Sequence, residues 1–442
     1  MTGDVDPDEP PVPPGPADVT GYARPVLGAV EAVARGTLDR DGYQRERSLI
    51  ELEAFGAGAL PYVLPLVNNW VGVIRDRALD QAVRLYGEAT ADQLVASLPA
   101  LEGVGRGRRR SRASWKRLYR AVCTRMGRLP AAAVTDALLP AYPSAAISVR
   151  RLCGCLLSDS GLLDDEVGFA LLAGEPDEST KTTIVRLLLR RRHDDATMAT
   201  LLSHKSPAVR REALRVRAAA ASEPWPGFDG FLGDRSRAVR EVAAQAARRY
   251  GLVPADVCRR RVAQRPTPGF VAGLGETGRD SDSALVEPLL RSSDPALLRA
   301  AITAYSLVCY EPSADLIQGL ISHRHGSKAA YQAIVRLHVV VDAERCYRDY
   351  LASRSGVVRR RLVRVMCDGP SWDALPWLLR LYRDLPHELR PAVQAKMATW
   401  RPGTGPPSAQ QVDAVRDALR ESKTIPLSVE ELVRAALTDG RR

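Results

Sequence analysis

Nine turn-to-helix junctions recur along this chain, at Arg150, Lys181, Arg210, Arg240, Phe270, Arg299, Ala329, Arg359 and Arg390, each 29 to 31 residues after the one before. This period constrains the fold more than any other feature, because a repeat of about 30 residues cannot bury its apolar face alone and must stack on its neighbours. The junctions also share a chemistry. His204-Lys205-Ser206-Pro207-Ala208-Val209-Arg210, Asp234-Arg235-Ser236-Arg237-Ala238-Val239-Arg240 and Ser353-Arg354-Ser355-Gly356-Val357-Val358-Arg359 each lead from small, polar or turn-forming residues into a Val-Arg pair. Ser and Asp cap helices, and Pro is tolerated in the first turn, where its missing N–H has no partner to lose, so each junction opens a helix.

Behind the junctions the apolar residues fall at helical spacing, as in Val209, Ala213, Val216 and Ala220, or Val239, Val242, Ala243 and Ala246. Ahead of them lies a second apolar run, such as Met198 to Leu202, Ala284 to Leu290 or Leu375 to Leu379. Each repeat is therefore helix, polar turn, helix, and no run reads as a strand. Ala-rich inner positions let consecutive repeats approach closely. The expected fold is all-α, an α-solenoid wound as a right-handed superhelix of helical pairs.

These junctions resemble the HEAT family, whose Asp-Pro-Asp-Pro-like turn followed by Val-Arg is echoed by Glu175-Pro176-Asp177-Glu178-Ser179-Thr180-Lys181. Phe270 and Ala329 hold the Arg position without being basic and mark weaker copies. The resemblance, which extends to the bacterial PBS-lyase HEAT-like repeat proteins, covers roughly residues 57–400 and implies a solenoid whose second helices line a concave face. It is specific for fold and poor for function, since scaffolds, transport receptors, some lyases and some DNA-repair enzymes share it.

The expected organisation is a disordered acidic Pro-rich tail at 1–18, N-terminal capping helices at 19–56, the solenoid at 57–400, and a C-terminal linker with capping helices at 401–442. The tail holds Pro7, Pro10, Pro11, Pro13, Pro14 and Pro16 with Asp4, Asp6, Asp8, Glu9 and Asp18, and almost nothing to bury. It lacks the basic start and apolar stretch of a signal peptide, and no apolar run approaches the ~20 residues of a membrane span. A soluble, cytoplasmic protein is expected. The seven cysteines are odd in number and scattered, which reads as small buried hydrophobes rather than a disulfide framework.

Upstream of Arg150 the phase slips, because the junction Asn69-Trp70-Val71-Gly72-Val73-Ile74-Arg75 lies two and a half periods away. An insertion into one repeat is expected, visible as a Gly/Arg loop at 103–112 that runs into the helix bearing Trp115. Between Glu102 and Asp136 there are ten bases and no acid, including Arg106, Arg108, Arg109, Arg110, Arg112, Lys116, Arg117 and Arg120. With a formal net charge of +11, this element leaves only +1 for the rest of the chain, so the basicity reads as local. Such a cluster suits phosphate, an acidic protein surface or the chain's own acidic tail.

Other patterns are weaker. Cys153-Gly154-Cys155 and His323-Arg324-His325 have too few ligands for a metal site, and His387-Glu388 is one pair where the HEAT-like iron hydroxylases need several. Arg190-Arg191-Arg192, Arg259-Arg260-Arg261 and Arg359-Arg360-Arg361 cannot share one helix face. Trp372-Asp373 and Trp377 imitate the aromatic and carboxylate pairing of HEAT-like DNA glycosylases without its surrounding motif. No phosphate loop or nucleophilic triad has local support. The expected function is a non-catalytic protein-interaction scaffold without cofactor or metal, with 103–128 as a separate basic contact. The alternative is a nucleic-acid-binding solenoid, with glycosylase chemistry as its catalytic form.

Overall fold

Helix starts fall where the period places them. The computed structural model describes residues 24–107, 111–190, 194–368, 372–385, 390–398, 407–421 and 431. The acidic tail 1–18, Arg108, Arg109, Arg110, Arg191, Arg192, His387 and Glu388 lie outside the described residues.

The chain divides into an N-terminal half, Met1–Arg217, and a C-terminal half, Ala218–Arg442. The first carries α1 (Arg24–Arg35), α2 (Gly42–Glu51), α3 (Leu60–Val63), α4 (Gly72–Glu88), α5 (Ala91–Arg106), α6 (Arg112–Met126), α7 (Ala131–Ala141), α8 (Ile147–Asp159), α9 (Asp165–Gly174), α10 (Glu178–Leu188), α11 (Asp195–Ser203) and most of α12 (Pro207–Ala220). The second carries α13 (Asp229–Leu232), α14 (Arg237–Arg249), α15 (Pro254–Gln264), α16 (Pro268–Thr277), α17 (Ser283–Val286), α18 (Pro295–Val308), α19 (Ala314–Gly319), α20 (Ser327–Leu337), α21 (Ala343–Ala352), α22 (Gly356–Asp368), α23 (Leu375–Asp384), α24 (Arg390–Ala398) and α25 (Ala409–Glu421). No strand occurs among the described residues. All nine junction positions sit within the first five residues of the even helices α8 to α24.

The even helices are the second members of the pairs and pack on one another in sequence, α2 on α4, α6, α8 and α10 in the N-terminal half and α14 on α16, α18, α20, α22 and α24 in the C-terminal half. The odd helices form the other layer, α3 on α5, α7 and α9, and α13 on α15 and α17. Val209, Ala213, Val239 and Ala243 are fully buried between the layers, as the periodicity requires. The fold is an all-α solenoid of stacked helical pairs.

Side-chain caps set the helix starts: Asp177 accepts from the Thr180 N–H, Asp194 from Thr197, and Thr90 forms a capping box with Gln93. The junction arginine then folds back on its own turn. Arg210 Nη1 donates to the His204 and Lys205 carbonyls at 2.7 and 3.0 Å, and Arg240 Nη1 to those of Asp234 and Arg235 at 2.7 and 3.2 Å. Arg45, 30 residues before Arg75, does the same with Asp39 and Arg40 at 2.6 and 2.9 Å. The repeat chemistry therefore reaches into the 19–56 segment, beyond the region in which the sequence alone reveals it.

The phase slip has a different cause from the one expected. Gly72, Arg112 and Ile147 open successive even helices, so the interval holds two long repeats rather than one lengthened by a loop. The added residues extend α4, α5 and α6 to 17, 16 and 15 residues. Gly103, Val104, Gly105 and Arg106 belong to α5. Glycine serves close packing here: a Cβ on Gly105 would come within 3.0 Å of the Trp115 indole.

One helical stretch, Gly42–Asn68, does reach the length and apolarity of a membrane span, with a mean hydropathy of 1.3 in its most apolar window. This corrects the expectation that no apolar run approaches that length. The stretch is broken at Gly56, whose φ is 56°, and Leu49, Leu52, Leu60, Val63 and Leu64 are fully buried in the core. All seven cysteines are free, four of them buried.

Candidate functional site

Charge is sorted between the two layers. From α4 to α12 the even helices hold sixteen Lys or Arg against six Asp or Glu, whereas the odd helices between them, α5 to α11, hold one against six. In the C-terminal half the even helices α14 to α22 hold eleven against three. The odd helices of that half, α13 to α21, hold five of each, so the even layer is basic in both halves beyond the 103–128 element, and the reading of basicity as local is corrected.

The centre of the N-terminal layer is α6, capped by Ser111, whose side chain accepts from Ser114 N. Leu118, Val122 and Met126 are buried and fix the helix's rotation. Arg112, Lys116 and Arg120 lie on the opposite side at successive i, i+4 positions and are exposed. Among the described residues these three have no ion-pair partner. Arg128, after the helix, is likewise exposed without an ion pair among the described residues, whereas Arg106, Arg117 and Arg125 are engaged. Arg117 pairs with Asp80 at 2.7 Å, Arg106 pairs with Glu102 and donates to Ser148 Oγ at 2.7 Å, and Arg125 donates to the Ala89 carbonyl at 2.8 Å. The expected unopposed flexible loop is therefore a helix end and a partly paired helix, because acids from α4 and α5 reach it. Arg108, Arg109 and Arg110 lie outside the described residues.

Tyr119 extends the layer's bracing, its hydroxyl donating to Asp159 on α8 at 2.8 Å. Burial, and then that bond, push the phenol pKa up and keep it a donor. Further along, three guanidiniums converge on Glu212, a residue that sequence reasoning missed. Arg186 on α10 is bidentate, with 3.0 and 3.1 Å contacts, and Arg211 and Arg215 on α12 approach to 3.2 and 3.1 Å. Glu212 is only 2% exposed and its pKa is lowered: burial acts against the charged form, but the hydrogen bonds and charges of Arg186 and Arg215 outweigh it. The signal was available, since Arg186 and the Arg-Glu pattern of α12 lie one repeat apart. It emerges only when charges are assigned by layer instead of along the chain.

Other sequence candidates do not converge on chemistry. Trp372 is buried, Asp373 accepts from Gln411 at 2.8 Å, and Trp377 stacks on Tyr347 with ring centroids 5.5 Å apart and takes Arg380 over its ring. Arg259 bonds Asp282, Arg261 reaches Asp229, and Arg260 is exposed, so the triplet does diverge. No group of three metal-ligating side chains occurs among the described residues.

The turn leading into α12 has a pH dependence. His204 Nδ1 accepts the Ser206 N–H at 3.0 Å, which requires the neutral ring. Burial first, then Lys181, Lys205 and Arg210, hold its pKa below the ordinary value. A depressed histidine contributes stability above its unfolded pKa of about 6.5 and loses it as the pH falls further. Between about pH 7.5 and 5 the thermal midpoint is expected to fall less in His204→Asn, whose carbonyl accepts the same bond at every pH, than in the unsubstituted chain. Parallel pH profiles would refute this account.

The fold is an all-α solenoid of helical pairs whose even-helix layer is basic in each half. No protein-family model matches the chain, and no curated protein matches its sequence. Among solved structures, the chain is similar to the crystal structure of Kap121p bound to Pho4p, with a TM-score of 0.40 and 11% identity over 94% of this chain and 57% of that one. Kap121p alone gives 0.40 and 10% over 95% and 57%, and Kap121p bound to RanGTP gives 0.35 and 12% over 91% and 56%. The chain thus spans a little over half the length of these proteins.

Proposed function

We propose that the chain is a non-catalytic protein-interaction scaffold that docks an acidic partner on the even-helix layer, with the α6 stripe of Arg112, Lys116 and Arg120 as its principal electrostatic contact. The observation that supports this reading is the stripe itself: three exposed cations on one helix face with no ion-pair partner among the described residues, in a layer that is basic while its companion layer in this half is acidic. A duplex-binding surface needs many free cations. Here Arg117, Arg151 and Arg240 are committed to carboxylates. Protein is therefore preferred to nucleic acid as the ligand, and a cytoplasmic setting belongs to the same proposal.

The triple substitution Arg112→Gln, Lys116→Gln and Arg120→Gln tests it. The thermal midpoint should hardly move, because exposed unpaired charges contribute little to stability. Affinity for a labelled Glu-rich peptide at low salt should fall by about tenfold or more, and the difference should shrink as salt screens the stripe. Equal peptide affinity in both forms would remove the stripe from the site. Tighter binding of duplex DNA than of peptide, with a salt slope that becomes shallower by about 0.9 for each phosphate no longer neutralised in the triple variant, would transfer the site to nucleic acid.

A further inference from the structure

The Glu212 cluster holds more positive charge than bracing the stack requires. Elsewhere a buried carboxylate between repeats is gripped by one principal guanidinium: Glu175 by Arg150, and Asp282 by Arg259. Arg186 already supplies that grip to Glu212, bidentate across from α10 to α12. Arg211 and Arg215 add two further guanidiniums on the same two oxygens, at 3.2 and 3.1 Å. Four N–H hydrogen bonds then fill a carboxylate that offers about four lone-pair sites, so Glu212 is saturated while most donors of the three arginines are unused. None of the three has a second acidic partner among the described residues.

Two positive charges therefore remain on three guanidiniums that a buried anion holds in place. The side chains of Arg186, Arg211 and Arg215 are 54, 35 and 56% exposed, whereas Glu212 is closed off. Their outer N–H groups face solvent as a prepared set of forked donors, and little ordering cost remains for a ligand to meet. A carboxylate or a phosphodiester brings one negative charge and would leave half of the surplus. A phosphate monoester brings about −1.5 to −2 at neutral pH with three acceptor oxygens, and so matches both the surplus charge and the number of forks.

We propose that Arg186, Arg211 and Arg215, mounted on Glu212, form a binding site for a phosphate monoester carried on a phosphorylated side chain of a protein partner. A side chain is the favoured carrier because the guanidiniums stand on an open helix layer, where a small phosphate ester would stay largely in water. The site lies on α10 and α12, in the same layer as the α6 stripe, and it deepens the docking reading by naming one chemical feature of the partner.

The test uses the full chain and a labelled seven-residue Gly/Ala peptide with a central phosphoserine, beside twins carrying serine or glutamate there. Arg211→Gln with Arg215→Gln leaves the Arg186–Glu212 brace in place, and an unchanged thermal midpoint verifies the fold. The phosphopeptide should bind at least about tenfold tighter than either twin, and inorganic phosphate should compete. The double variant should lose this preference, while the α6 triple variant should keep it. Arg215→Lys, which retains charge but not the fork, should give an intermediate preference and serves if the double variant does not fold. Equal binding of the phosphoserine and glutamate peptides, or a preference unchanged in the double variant, would overturn the site. Weakened Glu-rich peptide binding in the α6 variant would still stand in that case, so failure of this site and failure of the docking reading are separate results.

Discussion

Glu175→Ala should cost the N-terminal half about 3–5 kcal/mol, the range for stranding one member of a buried ion pair. Glu175 is fully buried at the end of α9 and Arg150 on α8 is 7% exposed. The carboxylate accepts from Arg150 Nε at 2.9 Å and Nη2 at 3.1 Å, from the Tyr142 hydroxyl at 2.7 Å and from the Asp177 N–H at 2.8 Å. Removing it leaves a guanidinium, a phenol and a backbone donor short of an acceptor at one point where two repeats meet. Burial, the largest cause of the raised Tyr142 pKa and one that the substitution leaves in place, works against ionising the phenol as a substitute partner for Arg150. Joint replacement, Arg150→Met with Glu175→Leu, should recover much of the stability, because the desolvation of both charges disappears with them. Hydrogen exchange across α8 to α10 would localise the effect. A cost below about 1 kcal/mol, or a double variant no better than the single, would show that the pair does not hold the repeats together.

Nothing in the sequence marked Glu175 as that partner beyond its place in a HEAT-like turn. The same limit separates what was legible from what was not. Helix starts were legible because caps and Val-Arg pairs act locally, within one turn of chain. Arg210 and Arg240 bond carbonyls five and six residues back, so their role is nearly a local property as well. Ion pairs between repeats join residues 23 to 41 positions apart, as in Arg259–Asp282 and Arg380–Glu421, and depend on a rotation of each helix that periodicity fixes only coarsely. The 103–128 element was found as a run of bases, but a run along the chain cannot show that Asp80 and Glu102 neutralise two of its members. Gly103 and Gly105 suggested a loop because glycine is a turn residue by default. In α5 one of them instead makes room for Trp115 of α6.

At the Phe270 junction Gly269 stands where the motif has Val, and close packing of glycine there supplies the other large effect. Helix α16 is built for close approach. A Cβ on Gly269 would stand 1.7 Å from the Gly233 carbonyl oxygen and 2.6 Å from its carbon, and one on Gly275 would stand 2.5 Å from Ala304 Cα on α18. These obstacles are main chain and cannot rotate aside, so Gly269→Ala must push α16 away from the turn that ends α13. Ala is the better helix former by about 1 kcal/mol, far too little to offset overpacking of backbone on backbone, which costs about 3 kcal/mol or more here. Gly103→Ala is the control. It too is helical, but a Cβ there meets nothing within 4 Å, so the substitution should be neutral or stabilise by about 0.5–1 kcal/mol. Local opening read by hydrogen exchange across α15 to α18 should rise sharply for the first variant and stay level for the second. If Gly269→Ala opens no faster than Gly103→Ala, then repeat spacing in this part of the stack is adjustable, and the small residues of α16 are not what sets it.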